Sequence, residues 1–418
     1  MSIWEFLKRS MRRYGERVAF SEGKTTYRKL IEIVESKKSE VKNIPVIAKG
    51  TSRQEQAINI LQIMAGGNIP VPVEASYGVE REEKIEKILA KNHDDLRKTA
   101  AILFTSGTTG EPKGVKLSHK GIIENLKGIG RYFKVQTGQK ILIARPLVHV
   151  AVFTGEFLFA LYKGLEIDFY EEAFQPARLA KYTDENKVQV FGCTPTLMYH
   201  LSRHLQGKSL ESIVISGERL TESVVCILKE KYPDKQFYNV YGLTENSPRV
   251  AALSPEDFFE KIGSVGKPIA HTKIKTERGE LLVKSRSLMQ GYIGEREKTE
   301  EKLKNGWLHT GDMVRLDEDG YLYILGRKDD MLIRSGMNIY PAEIESVAQQ
   351  IDGVKNCMVY GEDDVQYGQK ICMKAVTDLG VATLRKELIA RLPAYLVPDK
   401  ILIVDALEMT QSGKVKRR

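Results

Sequence analysis

The residues with the plainest chemistry lie in one run, ILFTSGTTGEPKGVKLSH, from Ile102 to His119. Ile102-Leu103-Phe104 reads as a strand. Thr105, Ser106, Thr108 and Thr109, spaced by Gly107 and Gly110, then offer hydroxyls and unhindered amides before Lys113 adds a positive charge. Small residues let backbone N–H groups close around an anion, so the segment reads as a phosphate cradle. It is not the common nucleoside-triphosphatase loop. That loop sets Gly directly before its Lys and Ser or Thr directly after, where the hydroxyl meets magnesium. Here Pro112 precedes Lys113 and Gly114 follows, so one neighbour has no N–H and the other no hydroxyl.

The elements that must hold this cradle alternate in type. Between about Thr25 and Tyr241, β-type apolar runs such as IPVIA (44–48), KILIA (140–144) and SIVIS (212–216) are separated by helical patterns such as GIIENLKGIGRYF (121–133). That alternation predicts an α/β body with a mainly parallel sheet. From Gly263 to Ile324 the pattern turns to short strands, with Asp319-Gly320 as a hairpin signal between two of them. After GRKDD (326–330) the chain reads as a small mixed α+β domain.

Bulk properties remove several function classes. A chain of 418 residues can bury a large core and form two or three domains. The net charge of +9 is spread among acidic residues, as in EREEKIEKILAK (80–91), which reads as a solvated surface and not a nucleic-acid patch. Cys193, Cys226, Cys357 and Cys372 are scattered, which suits neither a disulfide framework nor a zinc site and points to a reducing cytoplasm. The apolar stretch from Leu147 to Ile167 is broken by His149, Glu156 and Lys163, so no membrane span is expected. His200 and His204 sit four apart, but Leu201 stands where a metalloprotease helix needs Glu, so no metal is expected there.

The cradle resembles the ATP-binding signature of the adenylate-forming superfamily, which includes acyl-CoA synthetases, aryl-acid ligases, peptide-synthetase adenylation domains and luciferases. Further likenesses follow in order: TYRKL (26–30), MAGGNIPVPV (64–73), RPLVHVAVFTG (145–155), NVYGLTEN (239–246), GELLVKSRSLMQGY (279–292), WLHTGD (307–312), GRKDDMLIRSGMNIYPAEIE (326–345) and QSGKVKR (411–417). The resemblance implies a large N-terminal domain over 1–327, built of parallel-sheet α/β subdomains plus a small distorted β-barrel. A small mobile C-terminal α+β domain over 328–418 would carry the catalytic lysine.

The implied chemistry is attack of a carboxylate on the α-phosphorus of ATP, with Mg²⁺, and then transfer of the acyl group to a pantetheine thiol. By the same resemblance, Thr105 to Lys113 hold the β- and γ-phosphates, Glu245 binds Mg²⁺, and Thr105, Glu245 and Lys414 are catalytic. Asn239 and Tyr241 frame the adenine with Gly217 and Glu218 close by, and Thr244 belongs to the same nucleotide set. Asp312 accepts from the ribose hydroxyls, and Arg327 approaches ribose or phosphate. Asp329 is the hinge and Gly336 lines the thiol tunnel. No lost residue among Lys113, Glu245, Asp312, Arg327 and Lys414 supports a non-catalytic nucleotide binder, and a luciferase-like oxidation would need oxygen uptake.

His149, Val150, Gly242 and Leu243 fall where the family lines its acid pocket. Amino-acid activators usually carry Asp at the position of Val150, and 2-hydroxybenzoate activators tend to carry Asn. An unpaired buried ammonium is costly, so amino acids are disfavoured. The expected substrate is an aryl acid without a 2-hydroxyl, such as 3,4-dihydroxybenzoate in siderophore assembly of the petrobactin type, with fatty or short-chain acids as the alternative. The chain is shorter than family members before the cradle and stops soon after the lysine motif, so the expected acceptor is CoA or a separate carrier protein.

Overall fold

The computed structural model describes residues 1–37, 39–74, 77–106 and 111–408. They form two compact units, and the division falls within the strand Trp307–Leu316. The described residues of Met1–Leu220, Ile227–Lys275 and Leu282–His309 make the first unit; Thr221–Cys226, Thr276–Leu281 and residues 310–408 make the second.

The first unit is organised by a nine-stranded sheet. Its middle strands, Gln236–Gly242, Ser212–Ser216, Val190–Cys193, Lys140–Ile143 and Glu166–Phe169, are parallel neighbours in that order. Ile213 pairs with Phe237 and Ile215 with Asn239. Such strands are covered on both faces, which is why SIVIS is buried at every position and does not alternate. Antiparallel strands Arg249–Leu253 and Lys267–Pro268 extend one edge. The helix Pro195–Leu201 crosses over between the neighbouring strands Val190–Cys193 and Ser212–Ser216, while Pro176–Glu185 carries the chain from Glu166–Phe169 past Lys140–Ile143 to Val190–Cys193. Each helix is opened by a proline whose missing N–H costs nothing in the first turn.

Two smaller sheets complete this unit. Pro45–Ala48 and Ile69–Pro72 are parallel, joined through the helix Arg53–Ala65. Thr99–Ser106 and Pro112–Ser118 pair antiparallel, with Gly291–Tyr292 added on the outer side of the second strand. A connection this short cannot cross over to a parallel neighbour, so the cradle segment must be a hairpin. Ile69, Val71, Ile85, Ile102, Phe104 and Ile293 bury the face beneath it. The helix His119–Tyr132 follows, capped by the Ser118 hydroxyl accepting from the Gly121 amide at 2.9 Å.

In the second unit, Val354–Asp364 and Gly368–Thr377 pair antiparallel, and Lys400–Ile403 adds a parallel edge. Helices Pro341–Ala348 and Val381–Arg391 bury Ile344, Ala348, Leu384 and Leu388 against Val359, Ile371 and Met373. The hairpin expected at Asp319-Gly320 is present: Leu316 pairs with Leu322 and Gly320 has φ +81°. The fold is therefore α/β with large N-terminal and small C-terminal portions, as expected. Asp329 lies in a 3₁₀ turn, Lys328–Asp330, just past this hairpin.

Candidate active site

In the first unit, the ends of the parallel strands carry several of the residues singled out from sequence, together with Arg145 and Thr194. Arg145 follows Lys140–Ile143, Thr194 follows Val190–Cys193, Gly217 and Glu218 follow Ser212–Ser216, and Tyr241 and Gly242 end Gln236–Gly242. The carboxyl ends of parallel strands are where ligands bind in open α/β sheets.

The cradle's arms place Thr105 directly opposite Lys113 and Ser106 opposite Pro112. Gly107, Thr108, Thr109 and Gly110 lie outside the described residues, and of Ser106 only the backbone is described. Gly114 is glycine for packing: a Cβ there would come within 2.6 Å of Ile293 Cγ2 and 2.9 Å of Phe104 Cζ. Lys113 Nζ sits 5.9 Å from the Tyr292 ring centroid, within cation–π range. The Tyr292 hydroxyl donates to Glu245 Oε1 at 2.7 Å. The structure thus joins Lys113, the expected phosphate lysine, to the expected metal ligand through one aromatic ring.

Glu245 sits half-buried in the 3₁₀ turn Thr244–Asn246. Its carbonyl accepts from the Met289 amide at 2.8 Å, and the Leu243 amide donates to Pro248 O at 2.9 Å. Asn125, buried on the helix His119–Tyr132, donates from Nδ2 to the carbonyls of Asn246 and Arg249, each at 3.1 Å. Its Oδ1 accepts from the Arg249 amide at 3.2 Å. Gly242 is pressed against this loop; a Cβ there would lie 2.4 Å from Pro248 O. A carboxylate held by a hydroxyl, on a turn fixed by its neighbours, suits a hard cation that takes one or two carboxylates plus phosphates and waters.

Asn239 is buried, and its amide donates to Ser264 O at 2.7 Å, so it braces the strand that presents Tyr241. Glu218 Oε2 accepts from Thr196 Oγ1 at 2.6 Å, and Gly217 adopts φ +96°, which favours glycine.

The acid-pocket segment starts with exposed His149 and goes into a short helix at Val150, which is 9% exposed. A π-helical stretch, Phe153–Leu158, follows; such bulges often mark functional sites. It turns Glu156 inward, where Arg145 pairs with it. Arg145 Nη1 also approaches Ser216 Oγ at 3.4 Å. Gly192 leaves room for this pair, since a Cβ there would sit 2.2 Å from Glu156 Oε1. Burial pushes the neighbouring Cys193 thiol up to about 12, with Arg145 opposing and Glu156 and Glu218 adding to the rise.

In the second unit the structure brings Asp312 and Arg327 together. They are paired in register, and Arg327 Nη1 donates to Asp312 Oδ1 at 3.0 Å and to Thr310 O at 3.1 Å. Glu280 accepts from the Gly311 amide at 3.0 Å and from Lys328 Nζ at 2.9 Å, fixing both strands that carry the pair. Asp329 is exposed. Gly336 turns the hairpin Leu332–Arg334/Met337–Ile339 with φ +79°, a second reason for glycine there. Lys414 lies outside the described residues. His204 falls beyond the helix Pro195–Leu201 that carries His200.

Tyr292, Asn125, Arg145 and Glu156 have contacts here that the sequence alone does not reveal. Tyr292 does end the motif GELLVKSRSLMQGY, which was the available signal.

The family model described as "AMP-binding enzyme" matches residues 7–293, and "AMP-binding enzyme C-terminal domain" matches 343–414. A 2-succinylbenzoate–CoA ligase of Listeria monocytogenes is 30% identical over 352 residues, 82% of this chain and 74% of that one. A feruloyl-CoA synthase of an Amycolatopsis species is 32% identical over 336 residues, 75% of this chain and 67% of that one. The o-succinylbenzoate CoA synthetase of Bacillus subtilis, solved with an acyl-adenylate intermediate, superposes with a TM-score of 0.85 at 23% identity, covering 99% of this chain and 97% of that one. With collinear motifs, matching models at both ends and the expected architecture, the chain belongs to the AMP-binding enzyme family and is an adenylate-forming, AMP-releasing acid–thiol ligase.

Proposed function

We propose that this ligase uses ATP and Mg²⁺ to activate an aryl carboxylic acid that lacks a 2-hydroxyl, and passes the acyl group to CoA or a separate pantetheine carrier. The observation that carries the acid class is Val150, a buried apolar side chain at the start of the acid-pocket segment. The nearby Glu156 has its Oε1 paired with Arg145, so its charge is already balanced by a guanidinium. Relatives named for aryl substrates, a 2-succinylbenzoate–CoA ligase and a feruloyl-CoA synthase, support the same class and support CoA as acceptor.

In the first half-reaction a carboxylate oxygen bonds to the α-phosphorus as the bond to the β-phosphate oxygen breaks and pyrophosphate leaves. Negative charge grows on phosphoryl oxygens, so fixed donors and cations supply most of the rate. Thr105 and Lys113, opposite each other on the cradle's arms, are assigned to the β- and γ-phosphates. Mg²⁺ held by Glu245 would neutralise phosphate charge, and Tyr292 fixes the carboxylate that holds it. Asp312 and Arg327 are assigned to the ribose, Tyr241, Gly217 and Glu218 to the adenine, and Lys414 to the α-phosphate. In the second half-reaction a thiol sulfur attacks the acyl carbon, its proton passes to solvent, and AMP departs with the former carboxylate oxygen. Asp329 is assigned as the hinge that lets one small domain serve both steps.

Pyrophosphate exchange into ATP across benzoates, cinnamates, fatty acids and amino acids tests the acid class. Exchange strongest with an aryl acid lacking a 2-hydroxyl supports it, and exchange strongest with an amino acid would overturn the argument from Val150.

A further inference from the structure

Five of the buried side chains with an unpartnered polar atom come from two stretches of chain: Arg145 Nε, Thr154 Oγ1 and Glu156 Oε2 from the acid-pocket segment, and Asn246 Oδ1 and Arg249 Nε from the turn bearing Glu245 and the start of the strand Arg249–Leu253. Buried polar groups are normally satisfied, and within this gathering the two orphaned arginine Nε groups are donors that an anion would complete, whereas the orphaned oxygens of Glu156 and Asn246 call for donors. Arg249 is the decisive member. It is 2% exposed, and its guanidinium lies flat on Gly155: a Cβ at Gly155 would meet Nη2 at 2.8 Å and Cζ at 3.1 Å. Arg145 has Glu156 within ion-pair distance, whereas Arg249 has no carboxylate within 4 Å among the described residues. Its neighbour Tyr132 offers a neutral hydroxyl and no charge. A guanidinium cannot shed its proton, and an isolated buried cation is costly, so the position is worth keeping for an anion that arrives with the substrate.

We infer that Arg249 binds a second carboxylate of the acid substrate, so that the preferred acids are dicarboxylates activated at one end and anchored at the other. This rests on the ligase reading above and narrows it to aryl acids bearing another acidic group. The free Nε–H beside the Nη–H groups is a two-donor edge that matches a planar carboxylate. Gly155 is what lets the guanidinium lie so close to the acid-pocket segment.

The test compares benzene-1,3- and benzene-1,4-dicarboxylate, homophthalate and glutarate with their monomethyl esters, as substrates for pyrophosphate exchange by wild type, Arg249→Met and Arg249→Lys. A site built to bond a buried charged group rejects analogues lacking it by about 10²-fold or more. Wild type is expected to favour at least one diacid over its ester by that factor in kcat/KM, mainly through KM. Arg249→Met should reduce this preference to within about threefold, with the larger loss falling on the diacid, and Arg249→Lys should restore part of it. Thermal unfolding of Arg249→Met should occur at the wild-type temperature or above, since an isolated buried charge has been removed. A wild-type preference for the ester at every spacing overturns the inference and leaves the ligase reading intact. Equal loss for every acid in Arg249→Met, with a lowered unfolding temperature, also overturns it and makes Arg249 a brace for Tyr132. Absence of exchange with every acid would overturn the ligase reading itself, and this inference with it.

Discussion

At the scale of single residues, the contact from Tyr292 to Glu245 is the detail with the most direct bearing on metal use. A hydroxyl 2.7 Å from Oε1 orients the carboxylate, and the same ring faces Lys113. Removing an outer partner of a metal ligand typically weakens metal binding by about 10- to 100-fold. Tyr292→Phe should therefore raise the Mg²⁺ concentration for half-maximal pyrophosphate exchange by about 10-fold, with little change in the rate at saturating Mg²⁺. An unchanged Mg²⁺ titration would show that the bond does nothing for the metal. Glu245 could be singled out because its motif is contiguous, YGLTE. Tyr292 could be quoted as the end of a motif but given no role, because its hydroxyl meets Glu245 only when Gly291–Tyr292 joins the cradle's sheet. Arg249 was hidden for a related reason: adjacent residues in sequence say nothing of a missing counter-charge.

At the scale of elements, the turn bearing Glu245 depends on close backbone approach and on one buried amide. Gly242→Ala would drive a Cβ to within 2.4 Å of Pro248 O, which is backbone and cannot swing aside. We expect a loss of about 2 kcal/mol in unfolding free energy, the usual scale for overpacking, together with slower exchange. Denaturant melts of the variant check the first part and initial rates the second. A second element is set by protonation. The Ile3 amide, in the first turn of the helix Ile3–Met11, donates to His119 Nδ1 at 3.2 Å, so this ring nitrogen carries no proton. Burial, then repulsion from the N-terminal ammonium, hold His119 below the usual histidine range. Above an unfolded pKa of about 6.5 the ring is neutral in both states and the full stability is present. As pH falls below that value the unfolded chain takes the proton first, and stability is lost. His119→Asn keeps an acceptor without the titration, and should show a smaller drop in unfolding temperature between about pH 7.5 and pH 5.5. Equal drops in both proteins would remove His119 from the account. Strands and turns were readable from local pattern, as SIVIS and Asp319-Gly320 illustrate. Asn125, which ties its helix to two carbonyls of a distant loop, was not, because one polar residue in an amphipathic helix reads as surface until the packing is seen.

At the scale of the whole molecule, one chain is proposed to run two reactions by presenting different parts of its C-terminal portion to the same acyl-adenylate. Lys414→Ala isolates this. Loss of one donor to developing charge costs about 10²–10³ in rate, so pyrophosphate exchange should fall by that much. Thiolysis of a supplied acyl-adenylate by CoA should change far less. Equal loss in both steps would count against alternation. Beneath alternation lies the central claim, that a carboxylate oxygen attacks the α-phosphorus of ATP. Carboxyl-¹⁸O-labelled substrate tests it most directly, because the oxygen that forms the bond to phosphorus stays with AMP when the thiol takes the acyl group. Mass spectrometry after complete turnover with CoA should find AMP carrying one labelled oxygen and pyrophosphate carrying none. Unlabelled AMP, or ADP and labelled inorganic phosphate in its place, would contradict the claim.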